Sequence, residues 1–394
     1  MSSTDSTLTS VEICAGAGGQ AVGLHQAGFQ HLALIEIDGS ACDTLRLNVT
    51  EEAGWGDCEI LQEDLNQFDP AVLGLKEGEL GLLAGGVPCP PFSSAGLQLG
   101  ENDERDLFPV MLDLVDYLKP RAVMIENVRG LLQPPDKFRR YRDEVIRRRL
   151  TEAGYVICGW EVIEACDYGV PQLRPRAILV AMRPEFAGHF SWPDPGDVEM
   201  VTVYDALHES MKRRFGDSPE GRKAYDRWSA KARGGIAPTL VGGSKKHGGA
   251  DLGPTRAKSA WRKLGVDAMG VANEPHEMKD PERDLYARDR EGVPIGPKLT
   301  VSQAALVQGF PADWKFSGRK TAAYRQVGNA FPPPVARAIG QQIALALEKG
   351  THTPSTLELP PHPEEHCTLF DIPGTTLGAR FGDRVHDLES TVVR

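Results

Sequence analysis

No apolar run in this chain approaches the roughly 20 residues needed to cross a bilayer. The opening MSSTDSTLTS carries neither the basic nor the apolar stretch of a signal peptide. A membrane protein is therefore not expected, and a cytoplasmic one is. The seven cysteines (14, 42, 58, 89, 158, 166 and 367) are odd in number and include no C-x-x-C pair. That argues against a disulfide framework or a zinc ribbon and for reduced thiols, and no metal is expected. Basic side chains are outnumbered, 44 Lys and Arg against 55 Asp and Glu, for a net charge of −11. Taken whole, that balance discourages a nucleic-acid partner. No internal repeat is visible, which excludes a solenoid. What remains is an ordinary soluble composition, 41% hydrophobic and 25% charged over 394 residues, long enough for a sizeable core and two lobes.

The distribution of charge is less ordinary than its sum. Between Lys212 and Lys263 fourteen basic residues face four acidic ones, so this stretch carries +10 and the remainder −21. A basic block within an acidic chain is either a solvated face or an electrostatic footprint for phosphates. A second singular stretch is GGVPCPPFSS, positions 85 to 94. Each proline fixes φ and removes a donor, so Cys89 sits in a frame stiffer than packing alone requires. Such a frame suits a thiol held in place to react.

Short apolar runs alternate with helix-like ones. SVEIC, HLALIEID, EILQED, LGLLAGG and AVMIENV read as strands, and LFPVMLDLVDYL as a helix. This alternation predicts an α/β fold, a Rossmann-like, doubly wound and mostly parallel sheet covered on both faces. Ligands of such sheets bind beyond the carboxyl ends of the strands. The residues Gly16 to Gly19, Glu36, Asp64, Cys89 and Glu126 all fall at those ends. The turn AGAGG followed about twenty residues later by Glu36 suits a nucleoside, with glycines admitting the ligand and the carboxylate taking ribose hydroxyls. The spacing departs from G-x-G-x-x-G, so a cofactor without a pyrophosphate fits better than NAD. In QLRPR, Arg174 and Arg176 alternate and should share one strand face, as a surface pair or as donors aimed into the cleft. Beyond RAILVAMRPEF the pattern weakens and Gly, Pro and basic residues accumulate, as in a loop-rich second lobe.

The ordered blocks AGAGG, EID, GGVPCPPFS, RDLF, ENV, QLRPR, LTVSQAALVQGFP and QVGNAFPPPVA resemble the DNA cytosine-5 methyltransferase family. The resemblance spans residues 11 to 345 and implies S-adenosylmethionine as cofactor and double-stranded DNA as partner. It implies a class I methyltransferase domain over 1–189, a smaller target-recognition domain over 190–317, a returning segment over 318–350, and a weakly ordered tail over 351–394. By the same resemblance Cys89 is the nucleophile, and Glu126 binds the cytosine edge at N3. Asn127 braces the loop carrying Cys89, and Arg176 donates to O2 with Arg174 beside it. The cofactor pocket would comprise Cys14, Ala15, Gly16, Ala17, Gly18, Gly19, Glu36, Ile37, Asp64, Leu65, Pro88, Asn329 and Ala330. Within it Glu36 takes the ribose, Ile37 packs on adenine and Asp64 accepts from the adenine amino group. DNA contacts are expected at Ser93, Gln98, Arg105, Arg233, Thr239, Lys245 and Lys246.

The chemistry explains the residue types. Cytosine C5 is a poor nucleophile. A thiolate adding to C6 while N3 receives a proton turns the ring into an enamine able to take an electrophilic methyl group. The base must first leave the duplex, at a cost of a few kcal/mol. The glycine-bearing stretch after Cys89 suits a closing loop. Departures from the family pattern are Pro90 in place of a common Gln, Cys14 in place of a common aromatic, and Lys298 and Gln303 in place of Arg and Glu. A nucleoid-associated monomer of the bacterial modification type is expected, with a cognate restriction endonuclease acting separately. The alternatives are a methyltransferase acting on RNA and a catalytically silent DNA-binding relative. A characteristic C-F-T element of the RNA branch is absent here.

Overall fold

Seven strands form the central sheet of the computed structural model, which describes residues 8–88, 106–196, 199–242, 250–280 and 285–352. They are β1 (Thr9–Ile13), β2 (Gln30–Glu36), β3 (Glu59–Gln62), β4 (Leu82–Gly85), β5 (Ala122–Val128), β6 (Val156–Glu164) and β8 (Pro175–Met182), in the order β3-β2-β1-β4-β5-β8-β6. The pairs from β3 to β5 are parallel, and β8 runs antiparallel between β5 and β6. β1, β4 and most of β5 and β8 are buried on both faces, which is why these strands read as continuous apolar runs rather than as alternation. Val11, Ile13, Leu83 and Val123 feed the core on one face, and Leu82, Ala84, Met124 and Val180 feed the core on the other.

The polarity of β8 matters for the site. Because β8 is antiparallel, its first residues lie at the sheet edge where the parallel strands end. Arg176 pairs with Val128, and Glu126 with Ile178. A diagonal neighbour on the same face is within reach of a long side chain, so Arg176 and Glu126 can meet. β7 (Gln172–Leu173), just before β8 in sequence, pairs in parallel with β9 (Ala237–Pro238) to form a separate two-stranded sheet.

Residues from Trp314 onward close the cofactor side. Trp314 Nε1 donates to the carbonyl of Ala17 at 3.1 Å, and Thr44 Oγ1 donates to Gln326 Oε1 at 2.6 Å. A side chain at Gly19 would lie 2.3 Å from the carbonyl oxygen of Phe331, so the glycine turn and residue 331 touch backbone to backbone. The helix Pro333–His352 then packs against the helix Gly19–Gln26, where a side chain at Gly23 would lie 2.3 Å from the carbonyl of Pro333.

A further core gathers residues 203 to 330, including Leu207, Trp228, Trp261 and Val307. This region holds the helices Val203–Phe215, Pro219–Ala232 and Thr255–Lys263. It is thus more helical than its weak periodicity suggests. Thr202 and Asp205 form a reciprocal capping box at the first helix, and Ser218 caps the second. No helix among the described residues is long and apolar enough to cross a membrane. The expected tail over 351–394 falls, from residue 353 onward, outside the described residues.

Candidate active site

A cavity of about 340 Å³ opens at the carboxyl ends of β1, β2 and β4. It is lined by Cys14, Ala15, Gly16, Ala17, Gly19, Glu36, Ile37, Asp64, Leu65, Pro88, Asn329 and Ala330, twelve of the thirteen residues expected to hold a nucleoside cofactor. Gly18 is the exception. It caps the helix Gly19–Gln26 at φ 85°, and a side chain there would press on Leu45 and Trp314 at 2.9 Å, so its role is to turn the chain rather than to face the ligand.

Glu36 organises the pocket before any ligand arrives. Its Oε2 accepts from the Gly16 N–H at 2.7 Å, and its Oε1 accepts from the N–H groups of Ile37 and Asp38 at 2.9 and 2.8 Å. A carboxylate offers about four acceptor positions, so one remains on Oε2 for a ligand hydroxyl. Ile37 is 62% exposed at the rim, an apolar surface suited to a planar base. Asp64 Oδ1 accepts from the backbone and side-chain nitrogens of Asn66 at 3.0 and 3.1 Å, which leaves Oδ2 as an acceptor without a partner among the described residues. Cys14 takes φ 51°, an uncommon conformation for a residue with a side chain. Burial, reinforced by Glu36 and Glu12, pushes its thiol pKa far up.

Glu126, Arg176 and Asn127 converge beside this cavity. Arg176 Nε donates to Glu126 Oε1 at 2.8 Å, with the two side chains only 12% and 14% exposed. Glu126 lines the cavity, and a side chain at Gly86 would lie 3.0 Å from its Oε2. Burial raises the Glu126 pKa against the opposing pull of Arg176 and Arg174. Asn127 Nδ2 donates to the carbonyl of Val87 at 2.8 Å, which ties the end of β5 to the segment leading into Cys89. Cys89 itself lies outside the described residues, as do Ser93, Gln98, Arg105, Lys245 and Lys246.

The other described cysteines are poor nucleophiles. Burial pushes Cys42 and Cys158 to about 11, and Cys58 and Cys166 to about 12. A thiol held protonated is inert at neutral pH.

Two expectations change. Arg174 is not aimed into the cleft beside Arg176. It is 1% exposed, and its guanidinium donates to the carbonyls of Leu240, Gly328 and Ala330. The alternation rule fails because β7 ends at Leu173 and β8 begins at Pro175, so Arg174 sits in the break between two strands. Thr239 donates its hydroxyl to the carbonyl of Leu173, holding β9 against β7, so its hydroxyl proton is engaged within the protein rather than offered to DNA. Arg233, by contrast, is exposed, with its guanidinium carbon 3.3 Å from the ring centre of Tyr204. Gln303 caps the helix Val301–Gln308 with Thr300 and accepts from Arg214 at 2.8 Å.

Several cavity residues were not anticipated. Glu12 and Gln20 line it while buried, and Glu12 Oε2 and both side-chain polar atoms of Gln20 lack a partner among the described residues. Glu12 carried a signal, being a lone carboxylate inside the apolar β1. Arg325, Gln326 and Phe331 also line it, and only the return of the C-terminal segment brings them there.

The sequence pattern of C-5 cytosine-specific DNA methylases matches residues 8–345. The chain is 50% identical over 344 residues to the type II methyltransferase M.NaeI of Lentzea aerocolonigenes, covering 86% of this chain and 76% of that one. It is 44% identical over 345 residues to the type II methyltransferase M.NgoMIV of Neisseria gonorrhoeae, covering 87% and 99%. Among solved structures, the Entamoeba histolytica methyltransferase EhMeth superposes with a TM-score of 0.55 at 15% identity, over 85% of this chain and 97% of that one, a likeness of fold.

Proposed function

The chain belongs to the C-5 cytosine-specific DNA methylase family and is a DNA cytosine-5 methyltransferase; from that premise we propose that it takes its methyl group from S-adenosylmethionine, acts on a cytosine turned out of double-stranded DNA, and bonds Cys89 Sγ transiently to C6. The observation that carries this reading is the largely buried Arg176–Glu126 pair at the cavity rim, beside the segment 86–88 that leads into the framed thiol.

The pocket suits the cofactor. The remaining acceptor position of Glu36 Oε2 fits a ribose hydroxyl, Asp64 Oδ2 fits the adenine amino group, Ile37 offers a packing surface, and the turn at Gly16 and Gly19 leaves room for the methionine end. When bound, S-adenosylmethionine supplies an electrophilic methyl group carried on a positive sulfur. The protein's own residues prepare the acceptor. The Cys89 thiolate adds to C6, Glu126 gives a proton or a strong hydrogen bond to N3, and Arg176 donates to O2. These acts gather electron density at C5. After transfer a base removes the C5 proton and the Cys89 sulfur departs with its electron pair, restoring the aromatic ring. Asn127 holds the approach to Cys89 in register throughout. Arg233 and the basic stretch with Lys245 and Lys246 serve phosphates.

The decisive experiment expresses the chain in a methylation-free bacterial host and reads both the host DNA and its transfer RNA by bisulfite sequencing. Protected cytosines in one fixed sequence context are the expected result. Methyl groups found only in transfer RNA, or nowhere, would overturn the reading in favour of an RNA enzyme or a silent binder.

Glu36 provides a check on the cofactor. Glu36→Ala is expected to weaken S-adenosylhomocysteine binding by about 10–100-fold, the scale of one charge-assisted hydrogen bond. Titration calorimetry measures it, and unchanged affinity would show that the ribose lies elsewhere.

A further inference from the structure

The mechanism makes no use of the buried cluster around Arg174. Its guanidinium forms no ion pair among the described residues, and burial draws its pKa well down. Nη1 donates to the carbonyl of Leu240 at 2.6 Å and to Gln172 Oε1 at 3.4 Å, while Nη2 donates to the carbonyls of Gly328 and Ala330 at 2.8 and 2.9 Å. Gln172 Oε1 also accepts from the N–H of Leu240 at 2.7 Å, and Gln172 Nε2 donates to Gln308 Oε1 at 2.7 Å. Gln308 Nε2 donates in turn to the carbonyl of Ala330. All three side chains are at most 1% exposed.

Each tethered stretch leads to a different part of the reaction. Arg174 stands two residues before Arg176. Leu240 leads into Val241 and Gly242, at the start of the basic stretch read above as serving phosphates. Asn329 and Ala330 are walls of the cofactor cavity. The last two stretches also touch directly: a side chain at Gly242 would lie 2.2 Å from Asn329 Oδ1, and one at Gly328 would lie 2.4 Å from the Gly242 nitrogen.

We propose that Arg174 is a positioning residue that locks the segment 240–242, which leads into the basic stretch, and the cofactor wall 328–330 to the strand carrying Arg176, so that DNA and cofactor each strengthen the binding of the other through it. The chemistry favours arginine. Its planar fork holds several carbonyls at fixed spacing. A buried cation whose direct hydrogen-bond partners are all neutral carbonyls and amides loses much when any one of them moves away. Shifting the segment 240–242 therefore disturbs the cofactor wall, and the reverse holds equally.

The inference rests on the reading, given above, that the stretch with Lys245 and Lys246 serves DNA phosphates. Its test measures the affinity for S-adenosylhomocysteine with and without saturating unmethylated DNA, in wild type, Arg174→Lys and Gln308→Met. Wild type is expected to bind S-adenosylhomocysteine about tenfold more tightly when DNA is present. In Arg174→Lys that ratio is expected to fall to about twofold or less, while the affinity without DNA stays within about threefold of wild type. Lysine keeps the charge, but its donors radiate from one nitrogen and cannot span carbonyls spaced for a planar fork. A variant that melts like wild type and keeps the full ratio overturns the proposal, as does a wild-type ratio of one. If Arg174→Lys does not fold, Gln308→Met decides: it leaves the guanidinium but cuts the link from Gln172 to Ala330, so a reduced ratio supports the proposal and an unchanged one overturns it. A wild type that binds neither DNA nor S-adenosylhomocysteine would instead sink the functional reading.

Discussion

Replacing Cys89 with alanine is expected to lower methyl transfer by about 10⁴-fold or more, the scale seen when a covalent nucleophile is removed, while DNA and cofactor affinity remain close to wild type. The five described cysteines all have thiols pushed upward by burial, which disfavours the thiolate that a substitute nucleophile needs. Tritiated methyl transfer under single-turnover conditions measures the loss. DNA containing 5-fluorocytosine gives the complementary result: fluorine does not leave as a proton does, and the adduct should accumulate on Cys89 in wild type and be absent from the variant. Substantial turnover by the variant would remove the covalent step.

Glu126→Gln should reduce the rate by about 10²–10⁴-fold, the usual contribution of general acid catalysis. The glutamine preserves shape and a hydrogen-bonding edge but cannot transfer a proton. The pH profile separates this from a positional effect. Because burial raises the Glu126 pKa, its protonated form persists to higher pH than in an ordinary carboxyl. The donor is then lost as pH rises through that value, so the rate limb it governs falls toward alkaline pH. Glutamine does not titrate, and that limb should vanish. A variant with the wild-type profile at reduced amplitude would reduce Glu126 to a binding role.

The centre of the sheet was legible because β1, β4 and most of β5 are buried on both faces. β1, β2, β4 and β5 are apolar runs bounded by glycine or by carboxylates, and the carboxylates stand at strand ends where an apolar reading stops. The same rule placed Glu36 and Asp64 in one cavity. It failed at Arg174, where alternation presumes an unbroken strand and the strand is interrupted by one residue before Pro175. The helices between residues 203 and 263 were obscured by their charged outer faces, which dilute the apolar positions that mark the buried side. Glu12 stood out in the sequence as a carboxylate in an apolar strand, yet its place in the cavity depends on which face of β1 the ligand meets. Arg325, Gln326 and Phe331 carry no local signal, since their part in the cavity depends on a chain returning from some 300 residues away.

That return has a consequence for biosynthesis. Chains emerge from the ribosome amino end first, and the wall at Asn329 to Phe331 is among the last of the core to appear. A growing chain already bearing the thiol, the acid and the glycine turn still lacks one side of its cofactor cavity. Competence for methylation should therefore switch on only after residues 329 to 331 have been made, and fragments truncated before residue 329 should neither sequester the methyl donor nor mark DNA.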